Sequence, residues 1–324
     1  MLIDMTGKAI EVTNLTKKFK DFTAVNSISF SIEYGEVFGL LGPNGAGKTT
    51  TLSMLCTILN PTDGTAAING FDIIRQPNEV RKSIGIVFQD PSLDDRLTGR
   101  ENLEMHARLY DVDEKVRKER INEVLRLVEL EDKADHLVRT YSGGMRRRLE
   151  IARGLIHYPK ILFLDEPTIG LDPQTRVHIW DYIKELAKRE NITIILTTHY
   201  MDEADTLCNR IAVMDHGEII ALDTSENLKN SLGGDTITLK PDDMEKAKTV
   251  FDNYQILDGE MILFVKNAEK DMSRIFEKAE KKGITILEIR MRKPTLDDVF
   301  LKLTGKEIRD TEISAREARR FRRH

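Results

Sequence analysis

Cysteine is almost missing from this sequence. Only Cys56 and Cys208 occur among 324 residues, far apart and each within an apolar stretch. That excludes a disulfide framework and a cysteine zinc site, and leaves two reduced, buried thiols as the expectation. Proline is scarce too, at 9 residues, and with 40% hydrophobic and 32% charged residues the composition excludes a disordered or fibrous chain. No apolar run approaches the ~18 to 20 residues of a membrane-spanning helix, and the stretch from Met1 to Lys8 lacks the apolar centre of a signal peptide. The chain is therefore expected in the cytoplasm, and any pore it serves must be another polypeptide. Nor is one sign of charge in excess: 49 Lys and Arg face 54 Asp and Glu, a net charge of -5, so no nucleic-acid partner is expected.

The length predicts two units, since single cores stop growing near ~250 to 300 residues. Alternating segments in 9–32, such as Ile28, Phe30 and Ile32 with polar residues between, predict antiparallel strands. Near-continuous apolar runs then alternate with helical patterns: VFGLL before 49–59, IGIVF before 101–110, ILFL before 173–189 and ITIIL before 201–208. Such runs indicate a parallel sheet covered by helices on both faces. The stretch 98–138 carries helical patterns and no strand, which predicts a helical subdomain. IAVM and EIIAL flank a turn at Asp215, His216 and Gly217, and Gly233-Gly234 then punctuates the chain. Beyond it the order strand, helix, strand, strand, helix, strand is the split βαβ, or ferredoxin-like, arrangement. The expected layout is 8–232, with the helical subdomain at about 90–140, then 233–304, then a basic, mobile tail at 305–324.

Gly42, Pro43, Asn44, Gly45, Ala46, Gly47, Lys48 and Thr49 follow an apolar strand and open a helix. Glycines let the backbone turn its N–H groups inward, and a helix N-terminus favours an anion, so this is the context of a phosphate loop. Lys48 is placed to reach the β- and γ-phosphates of a nucleoside triphosphate, and Thr49 to ligate Mg²⁺; Thr50 joins the candidate nucleotide-binding set. ILFL ends in Asp165 and Glu166, so two carboxylates emerge at the carboxyl edge of a parallel sheet, where ligands bind. Asp165 is placed to hold Mg²⁺ and Glu166 to polarise the attacking water. Tyr141-Ser142-Gly143-Gly144-Met145 precedes another helical run and forms a second anion-ready helix start.

With these motifs in this order, the chain resembles the ATP-binding subunit of an ABC transporter over residues 9 to about 232. The loop at Gly42 to Thr49 matches that family's Walker A motif, Ile161 to Glu166 its Walker B, and Tyr141 to Met145 its LSGGQ signature, with Tyr for Leu and Met for Gln. Gln89 resembles the Q-loop glutamine, Gly170-Leu171-Asp172 the D-loop, and His199 the switch histidine. The resemblance implies an α/β P-loop NTPase fold of ABC type with ATP and Mg²⁺ as ligands. It implies that Gln89 couples the Mg²⁺ site to the helical subdomain and that His199 contacts the γ-phosphate. It also implies a homodimer, in which Ser142, Gly143, Gly144 and Asp172 complete the site of the opposite subunit. Phe19 stands where the family stacks an aromatic ring on adenine.

YSGGMRRRLEIARGL and KPTLDDVFLKLTG resemble the daunorubicin-resistance ATPase subfamily. That likeness implies a peripheral protein on the cytoplasmic side of the cell membrane, energising export of a drug, antibiotic, lipid or polysaccharide through a separate permease. Arg146 to Arg148 are expected on a solvated helix face with no catalytic role. The competing reading is a soluble regulatory or translation-associated ATPase of the same type. Against it, translation factors of this superfamily carry two such domains, whereas this chain has one. A chromosome-maintenance ATPase is excluded because only 117 positions separate Lys48 from Asp165, too few for a long coiled coil.

Overall fold

The structure, a computed structural model, describes residues 7–90, 92–190, 192–257, 259–265 and 268–305. The tail expected at 305–324 lies outside the described residues beyond Gly305. Two strands, β1 (Lys8–Phe19) and β2 (Phe22–Glu33), pair antiparallel as their alternation predicts, with Ile28, Phe30 and Ile32 buried. After β3 (Val37–Leu41) and α1 (Lys48–Leu55) come β4 (Asp63–Ile68) and β5 (Phe71–Asp72), which extend the first sheet in the order β2-β1-β4-β5. These two strands are absent from the sequence reading. DGTAAI offers small residues in place of the β-branched and aromatic ones that signal a strand, and its pairing with β1 is what makes it one.

Next come α2 (Pro77–Ser83), β6 (Ile84–Val87), α3 (Gly99–Leu109), α4 (Glu114–Leu127) and α5 (Gly143–Leu155). They are followed by β7 (Ile161–Asp165), α6 (Pro173–Glu190), β8 (Thr193–Thr198), α7 (Met201–Leu207), β9 (Arg210–Asp215) and β10 (Glu218–Asp223). The second sheet runs β10-β9-β3-β8-β7-β6, and its pairs from β9 to β6 are parallel. Every residue of β3, β7 and β8 is buried, as strands covered on both faces require. Helix α3 starts at a capping box of Thr98 and Glu101, and the helical stretch packs Leu103, Ile121, Leu149 and Ile151 into one core with Leu162 and Leu196 of the sheet.

The chain divides into compact units at Ala221 and Leu222, about ten residues before the break expected after position 232. Within the second unit lie α8 (Ser225–Asn230), β11 (Asp235–Pro241), α9 (Met244–Val250), β12 (Tyr254–Leu257), β13 (Glu260–Val265), α10 (Ala268–Lys281), β14 (Ile286–Arg292) and α11 (Leu296–Thr304). Its antiparallel sheet has the ferredoxin-like order β12-β13-β11-β14. Ile237, Leu239, Met261 and Leu263 pack with Ala247, Phe251, Ile275 and Ala279 of the helical connections. Helix α8 contacts α11, and the Lys302 ammonium donates to the Leu232 carbonyl at 3.5 Å, which is why 222–232 goes with this unit.

Candidate functional site

Four neighbouring parallel strands deliver the site. Residues Gly42, His199, Asp165 and Gln89 stand at or just past the carboxyl ends of β3, β8, β7 and β6, whose registers align Leu41 with Thr198, Thr197 with Asp165, and Leu164 with Val87. One sheet edge thus gathers three predicted motifs beside the phosphate loop, the place where open α/β sheets bind ligands.

The loop itself is built by close approach. Gly47 holds φ 101°, and a Cβ there would stand 2.6 Å from the Ala24 carbonyl oxygen. Only glycine fits both conditions. No side chain caps α1, so its first N–H groups remain available to an anion. Asn44, Gly45 and Thr49 are exposed, Pro43 and Thr50 half-buried, and Gly42, Ala46 and Lys48 buried. The Lys48 ammonium donates to the carbonyls of Gly42 (2.7 Å) and Pro43 (3.1 Å) and stands 3.5 Å from Glu166 Oε1. Burial pulls that ammonium below the usual lysine range, with Glu166 and Asp165 opposing it.

The two carboxylates diverge. Burial raises the Asp165 carboxyl above its ordinary range, only partly offset by hydrogen bonds from Thr197 and Thr49. Burial also pushes Glu166 upward, but His199 and Lys48 outweigh it and hold Glu166 below the usual glutamate range. His199 Nδ1 stands 3.2 Å from Glu166 Oε2. Glu166 has φ 46°, a left-handed conformation costing a non-glycine residue on the order of 1 to 3 kcal/mol. Its N–H donates to the Thr197 hydroxyl at 3.0 Å, and that hydroxyl donates to Asp165 Oδ1 at 2.5 Å. Thr197 escaped the sequence reading, because within ITIILTT nothing distinguishes it until β8 lies beside β7.

Thr49 Oγ1 donates to Asp165 Oδ1 at 3.2 Å. Two hard oxygen donors this close, one a carboxylate whose charge is disfavoured by burial, fit a Mg²⁺ that takes its other ligands from water and phosphate. Among the described residues no group of three or more His, Cys, Asp or Glu gathers as a metal cage. Gln89 is exposed after β6.

Other expected residues stand elsewhere on the surface of this unit. Ser142 caps α5, its Oγ accepting the Met145 N–H at 3.3 Å, with Ser142 and Gly143 exposed and Gly144 half-buried. Asp172 accepts from the Thr175 N–H (3.0 Å) and hydroxyl (2.6 Å). Phe19 and Phe22 face each other across the β1–β2 turn, both exposed, with Lys17 Nζ 5.1 Å from the Phe19 ring. One expectation is corrected: the arginines after Met145 do not share a solvated face. Arg146 pairs with Asp95 and Arg148 with Glu129, but Arg147 is buried, because it lies on the α5 face that also carries Glu150, Ile151 and Gly154 inward. The available signal was an arginine three residues before a glutamate at core-facing spacing.

A phosphate loop, a strand-end carboxylate pair and a histidine on one parallel sheet define a P-loop nucleotide-binding protein. Residues 25–169 match the ABC transporter family, and 224–304 match the ATP-binding protein DrrA1-3-like C-terminal domain. The chain is 39% identical over 318 residues to the daunorubicin resistance ATP-binding protein DrrA2 of Streptomyces coeruleorubidus, covering 95% of this chain and 98% of that one. To the linearmycin resistance ATP-binding protein LnrL of Bacillus subtilis (strain 168) it is 37% identical over 311 residues, covering 93% and 100%. Among solved structures, the dimeric ATP-binding cassette MJ0796, in a post-hydrolysis state with ADP and Pi, superposes with TM-score 0.60 at 29% identity, over 66% of this chain and 98% of that one. This chain belongs to the ABC transporter family, in its branch of DrrA-type ATP-binding proteins.

Proposed function

We propose that the protein hydrolyses ATP in a homodimer, on the cytoplasmic side of the cell membrane, to energise export through a separate permease. The observation that carries the catalytic part is the placement of Glu166: a buried carboxylate 3.2 Å from His199 Nδ1 and 3.5 Å from the Lys48 ammonium, which hold it below the usual glutamate range, at the sheet edge beside the phosphate loop. The α1 N–H groups and Lys48 bind the β- and γ-phosphates, and Phe19 offers a face to adenine. Glu166 accepts a proton from the attacking water, and His199 orients Glu166 and meets the γ-phosphate. Thr49 and Asp165, with Gln89 at the same edge, would hold Mg²⁺, which supplies neutralising charge on the phosphates. Ser142, Gly143, Gly144 and Asp172 serve the ATP of the opposite subunit.

Export is supported by relatives named for resistance to daunorubicin and linearmycin, which match nearly end to end and disfavour the translation-associated reading. Among the described residues no helix is long and apolar enough to cross a membrane, so the pore is assigned to a partner. The cargo class is a drug, antibiotic, lipid or polysaccharide.

Calorimetry and phosphate release on two variants test the site. Lys48→Ala should weaken ATP binding by at least about tenfold. Glu166→Gln should keep ATP affinity and lower turnover by about 10² to 10⁴. A folded Lys48→Ala protein with unchanged affinity, or near wild-type hydrolysis by Glu166→Gln, overturns these assignments.

A further inference from the structure

Arg147 is a buried cation for which the ATP site as described has no use. Its guanidinium donates to the Pro167 carbonyl (2.7 Å), the Phe88 carbonyl (2.7 Å), Glu150 Oε2 (2.9 Å), and the carbonyls of Asp165 (3.0 Å) and Glu166 (3.2 Å). Glu150 balances the charge and accepts the Ser92 N–H at 3.1 Å through its other oxygen. Three separate segments therefore meet on one side chain. They are the end of β6 leading into Gln89, the turn presenting Glu166, and helix α5, which begins at the exposed Ser142.

Two further observations give this convergence a direction. Glu166 sits at φ 46°, a conformation that persists only where its surroundings over-determine it, and Arg147 grips its carbonyl and those on either side. Helix α5 also lies directly on β6, since a methyl group on Gly85 would collide with the Gly154 carbonyl. A planar fork with five donors can span such a set of acceptors, whereas a lysine ammonium cannot.

We propose that Arg147 is a positioning residue for ATP hydrolysis, locking the Glu166 turn and the approach to Gln89 to the helix that begins at Ser142. A shift of α5, whose N-terminus is assigned to the opposite subunit's ATP, then moves the base of its own subunit. This rests on the ATPase reading above.

The test measures steady-state hydrolysis, ATP affinity and melting temperature on the full-length protein. One variant is Arg147→Lys. The other pairs Arg147→Met with Glu150→Gln, which leaves no unpaired buried charge and keeps an acceptor for Ser92. Both should lose at least about tenfold in kcat while KM and ATP affinity stay within about threefold, a split that general loosening of the fold would not produce. A folded variant with kcat within about twofold of wild type overturns the proposal. So does a parallel fall of kcat, affinity and melting temperature, or loss of fold in both variants, each of which assigns Arg147 to packing. An inactive wild-type protein overturns the ATPase reading and this proposal with it; an active wild type beside active variants overturns the positioning role alone.

Discussion

At Glu166 burial acts against two neighbours, His199 and the Lys48 ammonium, and the neighbours win, holding its carboxyl below the usual glutamate range. The opposite outcome at Asp165 follows from its desolvation, to which the neighbouring Glu166 carboxylate adds repulsion. A half-buried histidine adds a contribution to acid stability. Burial, with Arg153 and His157 adding repulsion, takes His106 from 6.5 down to about 4. Between those values the unfolded chain binds a proton that the folded chain refuses, so this contribution is present above pH 6.5 and lost as pH falls toward 4. His106→Gln should therefore narrow the loss of stability on acidification, by on the order of 1 to 2 kcal/mol after solvent screening. Melting temperatures of both proteins at pH 7.5 and pH 5 check it, and an identical pH dependence would remove His106 from the account. Lys48, Thr49, Asp165 and Glu166 stand out in the sequence because each belongs to a motif that ends or directly follows an apolar strand. Thr197 does not, since its partner lies on another strand and the pairing exists only once β8 meets β7; Arg147 carries only the local mark of Glu150 three residues on, its other acceptors lying on other segments.

Among elements, long apolar strands and helices with polar starts could be read directly. Strands β3, β7 and β8 are buried throughout, and α5 begins at the Ser142 cap that its sequence indicates. Strands β4 and β5 could not: β4 is made largely of small or polar residues and pairs where β1 offers an edge, and β5 is two residues long and pairs in turn with β4. The sequence does not announce helix α8, which falls within the 8–232 unit expected from the break at Gly233-Gly234 yet packs on α11; a short polar helix carries no mark of which core it will join. In α11, Phe300 is buried, and truncating it to alanine should cost about 3 to 5 kcal/mol. The loss belongs to the second unit, because α11 lies wholly within it. Phe300→Ala should therefore give an early thermal transition while ATP affinity stays at the wild-type value. Equal loss of ATP binding would mean that the units do not unfold separately.

For the whole molecule, the decisive feature is that Ser142 and Asp172 are capping residues on the exposed starts of α5 and α6, while Lys48, Asp165 and Glu166 cluster at the sheet edge. Two anion-ready helix starts are more than one triphosphate in one subunit needs, and the two-fold dimer proposed above would use both. The direct test mixes two inactive proteins, Lys48→Ala and Ser142→Arg. In a mixed dimer one site collects both lesions, while the other joins an intact Lys48 to its neighbour's intact Ser142. With random pairing half the dimers are mixed and each has one whole site, so ATP hydrolysis should return, to at most about a quarter of the wild-type rate. No recovery from a mixture whose mixed dimers are captured by cross-linking, and which also fail to trap ATP, would contradict the shared site.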